Sequence, residues 1–538
     1  MVTTLRVPRL PFDANDGRMR LIPLGGCGQV FGPNATLLAA GGGSLCFDFG
    51  MGQATHYNLT TEADEDGRFG GHPVHYVIPD HRLLQSQPGC EFEGIVLTHG
   101  HLDHIGGLKF IWNLLPLGLK VYGSPYALSL LRSHLGDQVA ARFGLIPIEP
   151  GRKFKVGAIK LEPFATAHSM VQTLSFVVRY RDKYGEETRG LYLSDARGFV
   201  ADAAGPLTWG TDGQKINDVL KEGCSFITVD STNSGVDKPV NSFEGVQARL
   251  NEIAMITPGK VIMAQYAANL DYLPLALKAA HASGREFFIG GESLEKNLAA
   301  LKVAGLMDER GSHHLRPVEE ARRRKVGRGV FIYGTGAQAE PGSLLDKIVT
   351  DRLRGIHLAP EDAVINATRD LEPEAKKRLR QIAISKGAVW HDCSNANELY
   401  VTGHATQGAL RNLLSRIERL SPPNALPQVL AIHGTVEHQQ ALYRLAKICK
   451  VDVQMPINGD IFVGEGNLMM RERTMSTRHF TTRENTLLVV NQEGVDKART
   501  GWLSRELDKR EGVLVKFPAL PQGPLAVRIA EARSRRRA

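Results

Sequence analysis

The sequence predicts an α/β fold in more than one domain, and three observations carry that expectation. Its 538 residues exceed what a single hydrophobic core can organise. From about Leu21 to Asp230, short apolar runs alternate with Gly-rich turns. From 236 to 395, strand-like and helix-like segments take turns, the pattern of a doubly wound parallel sheet.

Taken in order, LIPLGG, ATLLAAGGG, SLCFDFG, GIVLTHG, KVYGS, TLSFVVRY, GLYLSDA and SFITVD read as strands, several with the β-branched and aromatic bias of sheet segments. The interludes LKFIWNLLP and PYALSLLRSHL read as helices and place this part in the α/β class. After Asp230 the strands are GKVIMAQYA, REFFIGG, GVFIYGTG, DAVINAT and AVWHD. Between them lie the helical LPLALKAAHASG, SLEKNLAALKVAGL and PEAKKRLRQIAISKG. VLAIHG and NGDIFVG then return to short strands, so the first domain resumes over 396–465 after an insertion. Beyond about 466 the pattern is less regular. It closes on Arg533, Arg535, Arg536 and Arg537, a charge run that reads first as a solvated tail.

Lys+Arg 65 against Asp+Glu 57 leaves a net charge of +8, which permits a polyanionic partner without requiring one. The six cysteines, Cys27, Cys46, Cys90, Cys224, Cys393 and Cys449, form no C-x-x-C pair. That argues against a zinc ribbon and against a disulfide framework, and favours a reducing compartment. No apolar stretch reaches the roughly 18 residues of a membrane span, and the N-terminal segment lacks a signal-peptide h-region. A cytoplasmic protein with no membrane contact is expected.

The chemistry concentrates in EGIVLTHGHLDHIGG, where His99, His101, Asp103 and His104 follow an apolar strand expected to end at Thr98. The cluster is expected in the following loop, with Gly106 and Gly107 opening the next helix. Loops at strand C-termini are where α/β sheets place their sites. Imidazoles and carboxylates are the ligand types of zinc, manganese and related ions, and alternate loop residues can turn toward two neighbouring centres. These four alone leave two metals undercoordinated, so further ligands are needed at other strand ends. His168 in EPFATAHSM, Asp195 in GLYLSDAR and His433 in VLAIHGTVEH stand where they are required. Each alone would read as an ordinary turn or loop residue; the combination makes the signal.

The order H-x-H-x-D-H, then His, Asp and a late His, resembles the metallo-β-lactamase superfamily, and the insertion before the last histidine resembles its β-CASP branch of nucleic-acid nucleases. Within that branch, PLGGCGQVFGPNAT, VIPDHRLLQ, GIVLTHGHLDHIGGLKF, VDSTNS, GTGAQAEP, YVTGHATQGAL, AIHGTVEH and NGDIFVG occur in the order of bacterial and archaeal ribonuclease J, over roughly residues 20 to 465. The resemblance implies a metallo-β-lactamase αββα sandwich (18–235 and 396–465), interrupted by a doubly wound α/β β-CASP domain (236–395). A short C-terminal extension (466–538) with a basic tail follows. It implies two divalent metal ions, zinc first, with manganese and magnesium as alternatives. His99, His101 and His168 would bind one ion, Asp103, His104 and His433 the other, and Asp195 would bridge them. Asp230 and His404 match two further β-CASP motifs; on their own they would read as a strand-end turn residue and a loop histidine.

The implied reaction is hydrolysis of single-stranded RNA, as a 5′ to 3′ exonuclease, an endonuclease or both, by a homodimer or homotetramer. Asp103 would ligate metal and orient the nucleophile, and His404, supported by Asp230, would protonate the departing 3′ oxygen. Departures from the ribonuclease J pattern are LSDARGF for T-G-D-F-K-F-D, INATRDLEPEA for the serine-rich phosphate pocket, and ANLDY for an Asn-Val-His-Arg stretch. Thr368 and Arg369 are the substitute candidates for a substrate-phosphate contact, with His404 as a third. GGCGQVFG and GTGAQAEP read as tight turns near the cleft, since neither completes a phosphate-binding motif. The basic run Arg322 to Arg328 divides evenly between a solvated helix end and an RNA-tracking patch. Alternative functions are a DNA nuclease of the same branch, distinguished by indifference to 2′-hydroxyls, a small-molecule metallo-hydrolase, and a catalytically silent RNA-binding subunit.

Overall fold

Strands Met19–Gly25, Ala35–Ala40 and Gly43–Phe47 are buried at every position because both of their faces are covered. A computed structural model of the chain describes residues 10–28, 32–53, 68–69, 72–73, 76–237, 241–308, 314–323, 329–369, 373–393, 397–466, 468–475, 478–483, 486–491 and 528–529. These three strands lie within an eight-stranded sheet ordered Gly144–Pro147, Lys120–Gly123, Glu91–Val96, Gly43–Phe47, Ala35–Ala40, Met19–Gly25, Asp460–Glu465, Leu468–Thr474. A seven-stranded sheet packs on it, ordered Phe154–Val156, Ile159–Ala165, Leu174–Arg181, Glu187–Tyr192, Phe226–Asp230, Gln428–Ile432, Val453–Gln454.

Alternation sends neighbouring side chains of one strand into different cores, which is why these segments read as continuous apolar runs. Leu38, Leu45 and Phe47 face the second sheet and meet Phe176, Tyr192 and Phe226; Phe47 stacks on Tyr192 with ring centroids 4.0 Å apart. Leu37 and Cys46 point the other way, against the helical segments that include Leu108, Ile111 and Leu131. On the far side of the second sheet, Val177, Ile227 and Val429 pack on helices Gly213–Glu222, Gln407–Leu420 and Val436–Ile448. The layers are thus α, β, β, α, a metallo-β-lactamase domain.

The inserted β-CASP domain has one six-stranded sheet, every pairing parallel, ordered Arg316–Pro317, Glu286–Gly290, Val330–Gly334, Val261–Ala264, Ala363–Asn366, Val389–Asp392. Helices cover both faces: Val261, Met263 and Phe331 enter one core, Ile262, Ile332 and Val364 the other. The outgoing and returning chain crossings run side by side, with Asn233 bridging Thr406 and Gln407 N donating to Val236 O at 3.1 Å. Those crossings carry residues of two of the motifs, VDSTNS and YVTGHATQGAL.

The segment after 466 is more regular than its sequence suggests. Gly466 turns the chain at φ 55°, and Leu468–Thr474 returns antiparallel to Asp460–Glu465 as an edge strand of the eight-stranded sheet. Arg478–Arg483 and Thr486–Asn491 then form a hairpin paired with Tyr76–Ile78. RERT disguises the edge strand because edges are kept charged against unwanted pairing. The terminal arginines and residues 324–328 of the basic run lie outside the described residues. All six cysteines are free thiols, and among the described residues no helix is long and apolar enough to cross a membrane.

Candidate metal centre

The strand Glu91–Val96, ending in GIV, closes at Val96, and the ligand-rich segment that follows is only partly a loop. His101 is the N-cap of a short helix, Leu102–Ile105, so Asp103 and His104 project from a helical turn, and Gly106 ends that turn rather than opening the next one. The glycines are needed for close approach: a Cβ on Gly107 would lie 2.3 Å from the carbonyl of Gly50, and one on Gly50 would overlap the carbonyl of Asp103. That contact presses the Asp103–His104 turn onto the end of strand Gly43–Phe47.

Seven side chains then converge from strand ends of both sheets. Ligand atoms of His99, His101 and His168 lie within 4.8 Å of one another, and so do those of Asp103, His104, Asp195 and His433. His99 Nε2 and His168 Nε2 stand 3.0 and 3.1 Å from His101 Nδ1. In the second group His104 Nε2 is 3.4 Å from Asp195 and 3.7 Å from Asp103, and His433 Nε2 is 3.5 and 3.4 Å from the same two carboxylates. Asp195 Oδ2 also lies 4.0 Å from His168 Nε2, between the groups. Ligand bonds of roughly 2.1 Å in a tetrahedron would set neighbouring donor atoms about 3.4 Å apart.

In four of the five histidines the hydrogen-bond network holds one ring nitrogen and turns the other inward, where His104 Nε2 also meets Asn34 Nδ2 at 3.1 Å. His168 Nδ1 donates to Gly403 O at 2.7 Å. His104 Nδ1 donates to Asp48 Oδ2 at 2.8 Å. Thr98 Oγ1 spends its proton on Asp48 Oδ2 and therefore accepts from His99 Nδ1 at 3.0 Å. Thr232 Oγ1 donates to Asp230 Oδ1 and accepts from His433 Nδ1 at 2.6 Å. Outer partners of this kind orient metal-binding imidazoles. The donor set and its second layer therefore fit a divalent pair.

Electrostatics agree with that reading. Burial, with His104 and His101 beside it, keeps His99 well below its ordinary value, and burial together with His101 does the same to His168. Burial with His104 brings His101 down to about 4. These three rings are neutral, as ligands must be. Burial alone would raise Asp103, but His104 and His433 outweigh it and hold the carboxyl at about 2. Burial likewise opposes ionisation of Asp195, which His433 and His104 pull well below the usual carboxylate range. His104 and His433 are raised despite burial, chiefly by Asp195, whose carboxylate stands 3.4 and 3.5 Å from their Nε2 atoms.

Asp230 and His404 form a second pair at the edge of the centre. His404 Nδ1 donates to Asp230 Oδ2 at 2.6 Å and lies 3.9 Å from Asp195. Burial would lower His404, but Asp230 raises it on balance. Two residues of the centre carry left-handed backbone, Asp48 at φ 57° and His433 at φ 51°. Each is tied down locally: Thr98 N donates to Asp48 Oδ1 at 2.8 Å, and Ser231 Oγ donates to the carbonyl of His433 at 2.7 Å. Such strain persists where surrounding structure over-determines it.

The centre opens into a cleft of about 850 Å³ between the two domains, lined by His101, Asp103, Asp195 and His404 on one side and by Tyr266, Lys296 and Arg369 on the other. Arg369 reaches the cleft, donating to Asn233 Oδ1 at 3.2 Å with its guanidinium 5.5 Å from the Tyr400 ring centre. Thr368 does not. It is fully buried, and its hydroxyl donates to Asn366 Oδ1 at 2.9 Å and accepts from Gln338 Nε2 at 3.0 Å. Gly26 and Gly28 of GGCGQVFG take left-handed turns, and Cys27–Gly28 pairs with Gly434–Thr435 beneath His433. Sequence reasoning missed Asp48, Asn34 and Arg197. An acid closing the apolar run SLCFDFG was the available signal for Asp48. Asn34, whose Nδ2 donates to Asp103 Oδ2 at 3.3 Å, had none.

Residues 258–386 match the model of the ribonuclease J β-CASP domain, and residues 79–212 match that of the beta-lactamase superfamily domain. Ribonuclease J of Sinorhizobium meliloti is 25% identical over 439 residues, covering 80% of this chain and 71% of that protein. Ribonuclease J of Mycobacterium tuberculosis is 27% identical over 439 residues, covering 81% of this chain and 72% of that protein. A crystal structure of a protein of unknown function from Enterococcus faecalis V583 superimposes with a TM-score of 0.52 at 14% identity, over 83% of this chain and 100% of that one, a likeness of fold.

Proposed function

We propose that this chain, a ribonuclease J-like member of the β-CASP branch of the metallo-β-lactamase superfamily and so a ribonuclease J-type nuclease, hydrolyses phosphodiester bonds of single-stranded RNA in the cleft between its two domains. The observation that carries the reading is the convergence of five inward-facing imidazole nitrogens and two ionised carboxylates at the floor of that cleft. His99, His101 and His168 would hold one divalent cation, Asp103, His104 and His433 a second, with Asp195 between them. The imidazole-rich donor set favours zinc. When bound, such a pair supplies Lewis-acid stabilisation of the phosphate's charge and lowers the pKa of the attacking water.

The protein's own groups do the rest. Asp103, held ionised and fixed by Asn34, orients the nucleophile and accepts its proton. His404, held by Asp230 through Nδ1, turns its other ring edge to the cleft it lines and donates a proton to the departing 3′ oxygen. Asp230 is a positioning residue. Arg369 is the group we assign to a substrate phosphate on the inserted wall; the buried Thr368 takes no part. In this reading 18–235 with 396–465 is the catalytic domain, extended by strand Leu468–Thr474, and 236–395 is the wall that gives a polymer its track.

The test is cleavage of a 5′-monophosphate single-stranded RNA beside its 5′-hydroxyl and 5′-triphosphate forms and the matching DNA. Zinc, manganese and magnesium are each tried, with a His101→Ala/Asp103→Ala variant as the blank. Mononucleotide release from the monophosphate RNA means 5′ to 3′ exonuclease action. Internal cuts indifferent to the 5′ end mean endonuclease action. Preference for DNA, or no cleavage of either polymer with any of the three metals, would overturn the assignment.

A further inference from the structure

The cleft is also lined by cationic and polar side chains contributed by both domains. Lys109 and His134 come from the catalytic domain and Lys296 from the inserted one, and all three line the same cavity. Helix Pro125–Leu135 packs on helix Glu292–Val303 across the domain boundary, fixed by the buried hydrogen bond from Tyr126 Oη to Asn297 Oδ1 at 2.8 Å. His134 sits at the end of the first helix and donates from Nε2 to the carbonyl of Gly106 at 3.3 Å, three residues before Lys109. Burial chiefly, with Lys109 and Lys296 after it, holds that half-buried imidazole at about 4.

Their distances from the chemistry follow from the backbone. Gly106 and Gly107 keep helical dihedrals, so the path from Asp103 to Lys109 is nearly one continuous helix. Six residues at a rise of about 1.5 Å set Lys109 about 9 Å from Asp103. On the inserted wall, the strand that leads into Arg369 and the strand that leads into the helix of Lys296 are separated by two others, Val261–Ala264 and Val330–Gly334. Three interstrand spacings set the ends of those two strands about 14 Å apart along the carboxyl edge of the sheet. Arg369 and Lys296 thus line the cleft from separated strand ends of the inserted wall, and Lys109 lines it from the catalytic domain. Among the described residues Lys109 has no carboxylate partner. Lys296 pairs with Glu292 at 2.6 Å, with side chains 56% and 81% exposed, and a water-exposed pair of this kind yields readily to a competing anion.

We infer that Lys109 and Lys296 form a two-walled phosphate clamp, which grips the sugar-phosphate backbone of the bound strand beside the scissile linkage. This inference rests on the ribonuclease reading above and adds to it the track the strand follows. Two like charges that line one cleft from different domains repel until an anion lies between them, so the strand itself ties the walls together. Lysine suits a backbone contact that must release at each step, being a point charge without the bidentate geometry of arginine.

The experiment measures affinity of the metal-loaded protein for a phosphorothioate single-stranded RNA, which resists hydrolysis, by fluorescence anisotropy across a series of salt concentrations. For single strands log K falls with log salt by about 0.7 per phosphate neutralised. Lys109→Gln/Lys296→Gln should therefore lower that slope by about 1.4, weakening binding at low salt and converging with the parent at high salt. Lys155→Gln/Lys160→Gln, which removes the same charge from exposed strand positions, should leave the slope unchanged. Replacing the phosphate beside the scissile linkage with a neutral methylphosphonate should weaken the parent and not the Lys109/Lys296 variant. An unaltered slope in that variant, or an equal loss in the Lys155/Lys160 control, overturns the clamp while leaving the ribonuclease reading intact. A parent protein that binds no RNA overturns both.

Discussion

Replacing Arg197 with Met should destabilise the protein by about 3–5 kcal/mol, because it strands a charge at the domain boundary. Arg197 follows strand Glu187–Tyr192 and is 6% exposed, while Asp271, at the start of helix Tyr272–Ala282 in the inserted domain, is 0% exposed. Asp271 occupies the N-cap position yet makes no capping bond. Its carboxylate accepts from Arg197 Nη2 at 3.1 Å, Leu207 N at 2.8 Å, Thr208 N at 3.0 Å and Thr208 Oγ1 at 2.7 Å. The guanidinium also donates to the carbonyls of Thr402 at 3.0 Å, His168 at 3.1 Å and Ala203 at 3.1 Å, and lies 4.8 Å from the Phe243 ring centre. The three neutral donors that stay with Asp271 hold the effect below that of a bare buried charge. Three orphaned carbonyls add about 1 kcal/mol each where water cannot reach them. Arg197→Met/Asp271→Asn removes the charge as well and should be less destabilised than Arg197→Met alone. Urea unfolding of parent, both single variants and the double variant measures the coupling directly. An Arg197→Met variant within 1 kcal/mol of the parent, or a double variant whose loss equals the sum of the singles, refutes the reasoning.

Three further outcomes are expected. His404→Ala should reduce kcat by roughly 10²–10⁴-fold while metal content, measured by elemental analysis, stays at the parent value; metal lost from that variant would make His404 a ligand. Asp48→Asn replaces no proposed ligand but removes the carboxylate that orients His104, so metal affinity in a chelator competition should fall roughly 10–100-fold; unchanged affinity would mean His104 needs no such partner. His81, buried outside the centre, is held at about 4 mainly by burial, below an ordinary value near 6.5. The unfolded chain therefore takes up this proton first, and its contribution is full above about pH 6.5 and lost as pH falls toward 4, about 3 kcal/mol in all. His81→Gln should show a correspondingly flatter stability curve across that window, and parallel curves would remove His81 from the acid response.

The strands and helices were legible because burial on both faces writes apolar runs into the sequence, and Gly and Pro punctuate them. Leu468–Thr474 escaped because an edge strand carries charge where a central strand carries Val or Ile. His99 to His104 stood out because neither packing nor turn formation asks for three imidazoles and a carboxylate in so short a segment, whereas a metal pair does. Asp48 and Asn34 did not, because a residue that orients a ligand needs only one hydrogen bond and leaves no spacing behind it. Arg197 is a sharper case: its segment registered only as a departure, LSDARGF, and its partner Asp271 lies 74 residues away in the other domain. Thr368 draws attention by its place in INATRD, but a side chain at the end of a buried parallel strand faces whichever layer its register dictates, and here that is the interior.

The acid pair follows from how the two domains are joined. Asp230 ends strand Phe226–Asp230 just before the chain leaves for the inserted domain, and His404 stands where it returns. Asn233 Nδ2 donates to Thr402 Oγ1 at 2.8 Å and to the carbonyl of His404 at 3.2 Å, and the same Asn233 accepts from Arg369. One asparagine thus ties the outgoing crossing, the returning crossing and the cationic group on the inserted wall. In the reading proposed here, a strand bound against Arg369 pulls on the very crossing that sets the His404–Asp230 distance. Substrate seating and proton donation are then coupled through the backbone, and Asn233→Ala should lower kcat for RNA while leaving the seven ligands and the metal they hold untouched.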